Sequence, residues 1–128
     1  MRIISPPLVF GKKSEETAAQ FLLSRGYRIL ERNYRTPRGE LDLIALEGDT
    51  LVFVEVKARR GIRFGEPHWA VDRRKRQHLI KAALFYLSRK KIRNRCCRFD
   101  LIVIQESPNG HPQIDLICNI LEADETSF

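Results

Sequence analysis

Only three of the 128 residues are cysteine, one is methionine and one is tryptophan. An odd cysteine count, with Cys96 and Cys97 adjacent, argues against the disulfide framework that staples small secreted domains. No CxxC pair occurs, and His68, His78 and His111 lack the companions and spacing of a zinc site. Long apolar runs are missing too: none approaches the roughly 20 residues that span a bilayer. Near the N-terminus, Arg2 and an apolar stretch broken at Pro6-Pro7 have neither the h-region nor the cleavage site of a signal peptide. A cytoplasmic protein without a membrane partner is expected. There are no internal repeats.

Apolar residues make up 43% of the chain, enough for a core, and 128 residues suit one domain rather than two. The net charge is +7 and it is unevenly placed. Between Lys57 and Arg98 stand 15 basic and 2 acidic residues, whereas the rest of the chain carries 8 basic and 14 acidic. A basic stretch between acidic ones is the footprint of a polyanion, nucleic acid before an anionic membrane. A solvated basic surface accounts for the same composition.

Residues 1–13 read as an irregular N-terminal arm, 14–121 as the domain and 122–128 as an acidic tail. Ser14 can cap a helix that carries Ala18, Ala19 and Leu22 inward and stops at Gly26. Tyr27 to Tyr34 reads as a strand, and Glu40 to Leu46 with Leu51 to Lys57 as a hairpin about Gly48-Asp49, a Gly-first pair suited to a type II′ turn. Ala58 to Trp69 reads as a surface loop. Val71 to about Lys90 is the longest expected helix, with Leu79, Ala82, Ala83 and Tyr86 on one face. Phe99 to Gln105 and Gln113 to about Ile120 are further strands, and Cys118 in the last is expected in the core. The order αβββαββ predicts an α/β sandwich around a mixed sheet.

Strand alternation puts Glu40, Asp42, Ile44 and Leu46 on one face, and Leu51, Phe53, Glu55 and Lys57 on one face of the next strand. A tight turn at Gly48-Asp49 pairs residues whose numbers sum to 97, setting Asp42 opposite Glu55 and Glu40 opposite Lys57. Opposed carboxylates destabilise a sheet unless neutralised. The remedy is a proton held at raised pKa, a bridging lysine or a divalent cation. Mg²⁺ suits oxygen ligands and few carboxylates, and keeps waters that a phosphate can replace. Asp42, Glu55 and Lys57 thus make a candidate phosphodiesterase site, against an ordinary hairpin with a charged solvent face. Val52, Val54 and Val56 with Phe53 make the second hairpin strand apolar on both faces, as in a covered sheet, where charge needs a partner. Glu15 shares the inward stripe of the first helix, as a site acid or a first-turn acid serving the dipole; Glu16 faces outward.

Asp42-Leu43-Ile44-Ala45, thirteen residues before Glu55-Val56-Lys57, resembles the D…(D/E)xK signature of restriction-endonuclease-like nucleases. The stretches SEETAAQFLLSRGYRILERNYR, GELDLIA, LVFVEVKARR, FGEPHWAV, RKRQHLIKAALFYL and RFDLIVI resemble the YraN-like family of small bacterial proteins, itself similar to archaeal Holliday-junction resolvases. The similarity covers about residues 11–104, with Ser14 where the family usually has glycine. It implies a restriction-endonuclease-like αβββαβ core with a mixed sheet flanked by helices. It further implies Asp42 and Glu55 as ligands of Mg²⁺ or Mn²⁺, with the Val56 carbonyl as a third. Lys57 would orient or activate water, Glu15 would match a helix acid of the resolvases, and Glu40 would serve an outer shell or a second metal. The implied reaction is hydrolysis of DNA phosphodiesters, in branched or single-stranded DNA. Resolvase-like nucleases tend to dimerise, so a homodimer is an expectation.

Arg73, Arg74 and Arg76 open the long helix, where free amides favour phosphate; a merely basic surface is the other reading. Lys75 shares the inward face with Leu79 and Ala82, either reaching the site or snorkelling past them. Arg59, Arg60 and Arg63 can grip the strand being cut, and Phe64 and Trp69 either stack on an unpaired base or anchor the loop. Asp100, which resembles the acid of the family's RFD stretch, is expected to pair with Arg98 or cap backbone, with a catalytic role as the other reading. A non-catalytic nucleic-acid-binding module and a basic partner for an acidic protein are the competing expectations.

Overall fold

The computed structural model describes residues 6–60, 73–106 and 110–121, with side chains from 14 to 59, 73 to 105 and 110 to 121. Among the described residues two helices cover a five-stranded mixed sheet: α1 (Pro6–Ser24), β1 (Arg28–Thr36), β2 (Gly39–Glu47), β3 (Thr50–Arg60), α2 (Arg73–Arg89), β4 (Cys97–Glu106) and β5 (Gln113–Ile117). The strands lie in chain order, β1-β2-β3-β4-β5. Only β3 and β4 run parallel. A parallel pair needs a crossover, and α2 lies within that connection.

The sheet separates two apolar layers. On the α2 side, Ile44, Leu51, Phe53, Phe99, Leu101 and Val103 pack against Leu79, Ala82, Ala83 and Tyr86, the helical face expected from spacing alone. Phe53 stacks on Phe99 at 5.2 Å, and the Tyr86 edge meets Tyr34 at 4.9 Å. On the α1 side, Ala18, Ala19 and Leu22 cover Leu43, Ala45, Val52, Val54, Ile102 and Ile104. Leu51 through Glu55 are all buried, so β3 is covered on both faces as its composition implied.

The hairpin keeps the expected register, Leu43↔Val54 through Glu47↔Thr50. Gly48 is at φ +60 while Asp49 keeps a negative φ, in agreement with the type II′ expectation. Several expectations fail, among them the loop from Ala58, since β3 runs on to Arg60. Residues 6–13 continue α1 instead of forming an irregular arm, because prolines at Pro6 and Pro7 fit a helix's first turn, where the missing N–H has no partner to lose. Ser14 is consequently a buried residue inside the helix rather than its cap. Cys118 is exposed and outside β5, since Asn119 takes a left-handed φ of +58 just beyond the strand. The loop residues Arg63, Phe64, His68 and Trp69, the extreme N-terminus and the acidic tail 122–128 lie outside the described residues, as does the Arg60 side chain.

Candidate metal centre

Asp42 occupies a break in the sheet. The β2–β3 ladder stops at Leu43↔Val54, so the expected pairings of Asp42 with Glu55 and of Glu40 with Lys57 do not form. On the other side, Arg32↔Leu43 and Tyr34↔Leu41 flank a gap where Asp42 would meet Asn33, and Asn33 has a left-handed φ of +52. The chain changes phase there. Leu41 packs with Ile44 on the α2 side, whereas strict alternation from Ile44 would put it with Leu43 on the α1 side. Asparagine is among the few non-glycine residues that enter this backbone region readily, the one signal in the sequence that could have placed the break.

The break lets a side chain do the work of a strand. Asp42 Oδ2 accepts the Val56 N–H at 2.9 Å, as a neighbouring carbonyl would in an intact ladder. Its carboxyl is also close enough to Glu55 for the two acids to interact electrostatically. Two neighbouring carboxyl groups disfavour each other's charged form. Burial first, then the Glu55 contact, raise the Asp42 carboxyl from 3.8 to about 8, and the charge of Glu15 on α1 adds to the shift. A raised Asp42 carboxyl corresponds to the first of the three remedies open to this pair, a held proton.

The site also holds a lysine. Glu55 is 5% exposed, and Lys75 Nζ of α2 lies 2.8 Å from its Oε2. That approach has the distance of an ion pair, yet Oε2 makes no hydrogen bond of acceptable angle. Lys75 reaches the pair rather than merely snorkelling along apolar neighbours. Lys57, half-buried, stands two residues beyond Glu55 on β3, and half-buried Arg59 two residues further. Gln105, missed from sequence, is a buried polar side chain on β4 whose backbone partner is Arg59.

The other expected residues are placed less centrally. Glu40, exposed, lies 3.7 Å from Arg35 in a solvent-facing ion pair across β1 and β2. Glu16 faces outward as expected and binds Arg32 at 2.6 Å. Arg73 and Arg74 are exposed in the first turn of α2, and Arg76 is half-buried. Asp100 is fully buried at a different place: Arg98 Nε and Nη2 donate to its carboxylate at 2.9 and 2.8 Å, and the Asn119 N–H donates at 2.9 Å. Arg98 also reaches Tyr27 and Glu47. Asp100 therefore does both structural tasks expected of it.

The donor set fits a hard cation. It comprises two neighbouring carboxyl groups, one with a buried oxygen lacking a good hydrogen bond, beside backbone at Val56. Among the described residues no group of three or more His, Cys, Asp or Glu converges.

A family model described as Uncharacterised protein family UPF0102 matches residues 14–104. A UPF0102 protein of Syntrophus aciditrophicus is 46% identical over 112 residues, covering 88% of this chain and 87% of that protein. Another, from Symbiobacterium thermophilum, is 45% identical over 113 residues, 88% of this chain and 96% of its own length. Among solved structures, Pyrococcus furiosus SfsA in complex with Ca²⁺ aligns at TM-score 0.42 and 19% identity, over 84% of this chain and 62% of that one. The matched span contains Glu15, Asp42, Glu55, Lys57 and Lys75 together, and the chain belongs to the UPF0102 family, the YraN-like family its motifs resemble.

Proposed function

We propose that this protein is a nuclease dependent on Mg²⁺ or Mn²⁺ that hydrolyses DNA phosphodiester bonds in the cytoplasm. The observation that carries the reading is the proximity of half-buried Asp42 to buried Glu55, where the charge of each acid opposes that of the other. Asp42, Glu55 and the Val56 carbonyl would hold the cation. Bound there, it would supply Lewis-acid polarisation of a phosphoryl oxygen and a more acidic water. Lys57 stabilises the charge that develops on the phosphate as water adds to phosphorus. The bond from phosphorus to the leaving oxygen breaks, and the proton given up by water ends on that oxygen.

Arg73 and Arg74 stand exposed beside the α2 amides, a suitable place for backbone phosphates of the bound strand. Among the described residues no helix is long and apolar enough to cross a membrane. A second reading, a nucleic-acid-binding module without turnover, is favoured by the Lys75–Glu55 ion pair, because a lysine already neutralises the glutamate. Incubation with linear, flapped and four-way DNA in Mg²⁺ or Mn²⁺ separates the two. The nuclease reading predicts cleavage that falls by roughly 10²–10³-fold in Asp42→Asn and in Lys57→Ala. Binding without cleavage of any substrate would establish the second reading, and cleavage surviving both substitutions would remove this site from the chemistry.

A further inference from the structure

We propose that Lys75 is an exchangeable counter-ion of Glu55, which a divalent cation must displace to enter, so that this one lysine sets the metal affinity of the site. The inference rests on the reading of Asp42 and Glu55 as a cation site.

The argument begins with the helix. Counting back from Tyr86, the inward stripe of α2 runs through Ala83, Ala82 and Leu79, and a further four residues back stands Lys75. Beneath it, the α2-facing row of β3 runs from Leu51 and Phe53 to Glu55. Apolar side chains thus face apolar side chains until the last turn of contact, where a lysine faces a glutamate. A leucine at position 75 would pack equally well on the apolar floor but would leave the Glu55 charge uncompensated, which is costly in a buried setting.

The ion pair is asymmetric. The Glu55 side chain is 6% exposed and the Lys75 side chain 43%. The carboxylate is fixed, while the ammonium sits at the end of a flexible stem with one side open to water. Its approach at 2.8 Å leaves Oε2 without a hydrogen bond of good angle, so the geometry favours simple charge neutralisation over a locked contact. A cation seeking that oxygen meets an occupant able to leave. Because only the fraction of molecules with Lys75 withdrawn is competent, the apparent metal affinity is reduced by that fraction, and minor states of this kind are populated at roughly 0.1–10%.

The test titrates Mn²⁺ into the metal-free full chain and counts free ion by electron paramagnetic resonance, with Glu55→Gln defining binding elsewhere. Lys75→Gln and Lys75→Met should bind Mn²⁺ roughly tenfold or more tightly than the unaltered protein. Lys75→Arg, which keeps the charge, should bind as weakly as the unaltered protein. Thermal melts establish folding, and the methionine variant, apolar and of similar length, decides the matter if the glutamine variant unfolds. Equal or weaker binding in the neutral variants overturns the inference and leaves the cation site standing. Absence of Glu55-dependent binding in every variant overturns the cation site itself, and the inference falls with it.

Discussion

At the scale of single residues, the raised Asp42 carboxyl is a stability term with a definite sign. The folded chain keeps its proton up to about pH 8, whereas a solvated aspartate releases it near 3.8. Between those values the native state binds more protons than the unfolded state, so stability falls as pH rises. This contribution is fully present below about 3.8 and is lost once pH has passed about 8. The metal-free protein should therefore melt progressively lower across that window. Asp42→Asn can still accept the Val56 N–H but has no charge to bury. It should flatten the pH dependence and, at pH 9, raise the melting temperature by on the order of 5 °C, as read by circular dichroism. A steeper dependence in the variant would place the proton on another group.

Elements are tied together by Arg98 and Asp100 on β4, where Asp100 lies in register with Val54 of β3. Arg98 on β4 reaches Glu47 at the end of β2 and Tyr27 after α1, while Asp100 fixes the turn after β5 through the Asn119 N–H. Burial, aided by the Asp100 charge, pushes the Tyr27 hydroxyl up to about 12, so it stays a neutral acceptor for Arg98. Asp100→Ala leaves a guanidinium and an amide without their acceptor and should cost about 3–5 kcal/mol in urea unfolding. A loss below about 1 kcal/mol would show that water replaces the carboxylate. The elements readable from sequence were those with local periodicity. The buried face of α2 and the hairpin register follow from spacing and one glycine turn. The phase change at Leu41 was not readable, because it depends on Asn33 across the strand pair. Asp42 and Glu55 are neighbours all the same, through Val56 rather than through the expected ladder. The start of α1 was misread because a proline pair signals both a helix start and a helix break. Lys75 was visible on the inward face, but its target was visible only once α2 lay over β3.

For the whole molecule, the sequence segregates charge and the fold brings part of the basic stretch to the α2 end of the site. Arg73 and Arg74 are exposed there, beside the lysine that reaches Glu55. DNA affinity should fall steeply with salt, and the double substitution Arg73→Ala with Arg74→Ala should reduce the slope of log K against log salt by about 2. An unchanged slope would move the DNA track elsewhere on the protein. The account as a whole depends on a cation replacing the proton that the raised Asp42 carboxyl holds beside Glu55. Calorimetric titration of Mn²⁺ at pH 7, in two buffers of different ionisation enthalpy, counts that proton directly. Release of about one proton per bound ion, abolished in Asp42→Asn, is the predicted result. Binding with no proton released, or release that persists in Asp42→Asn, would contradict it.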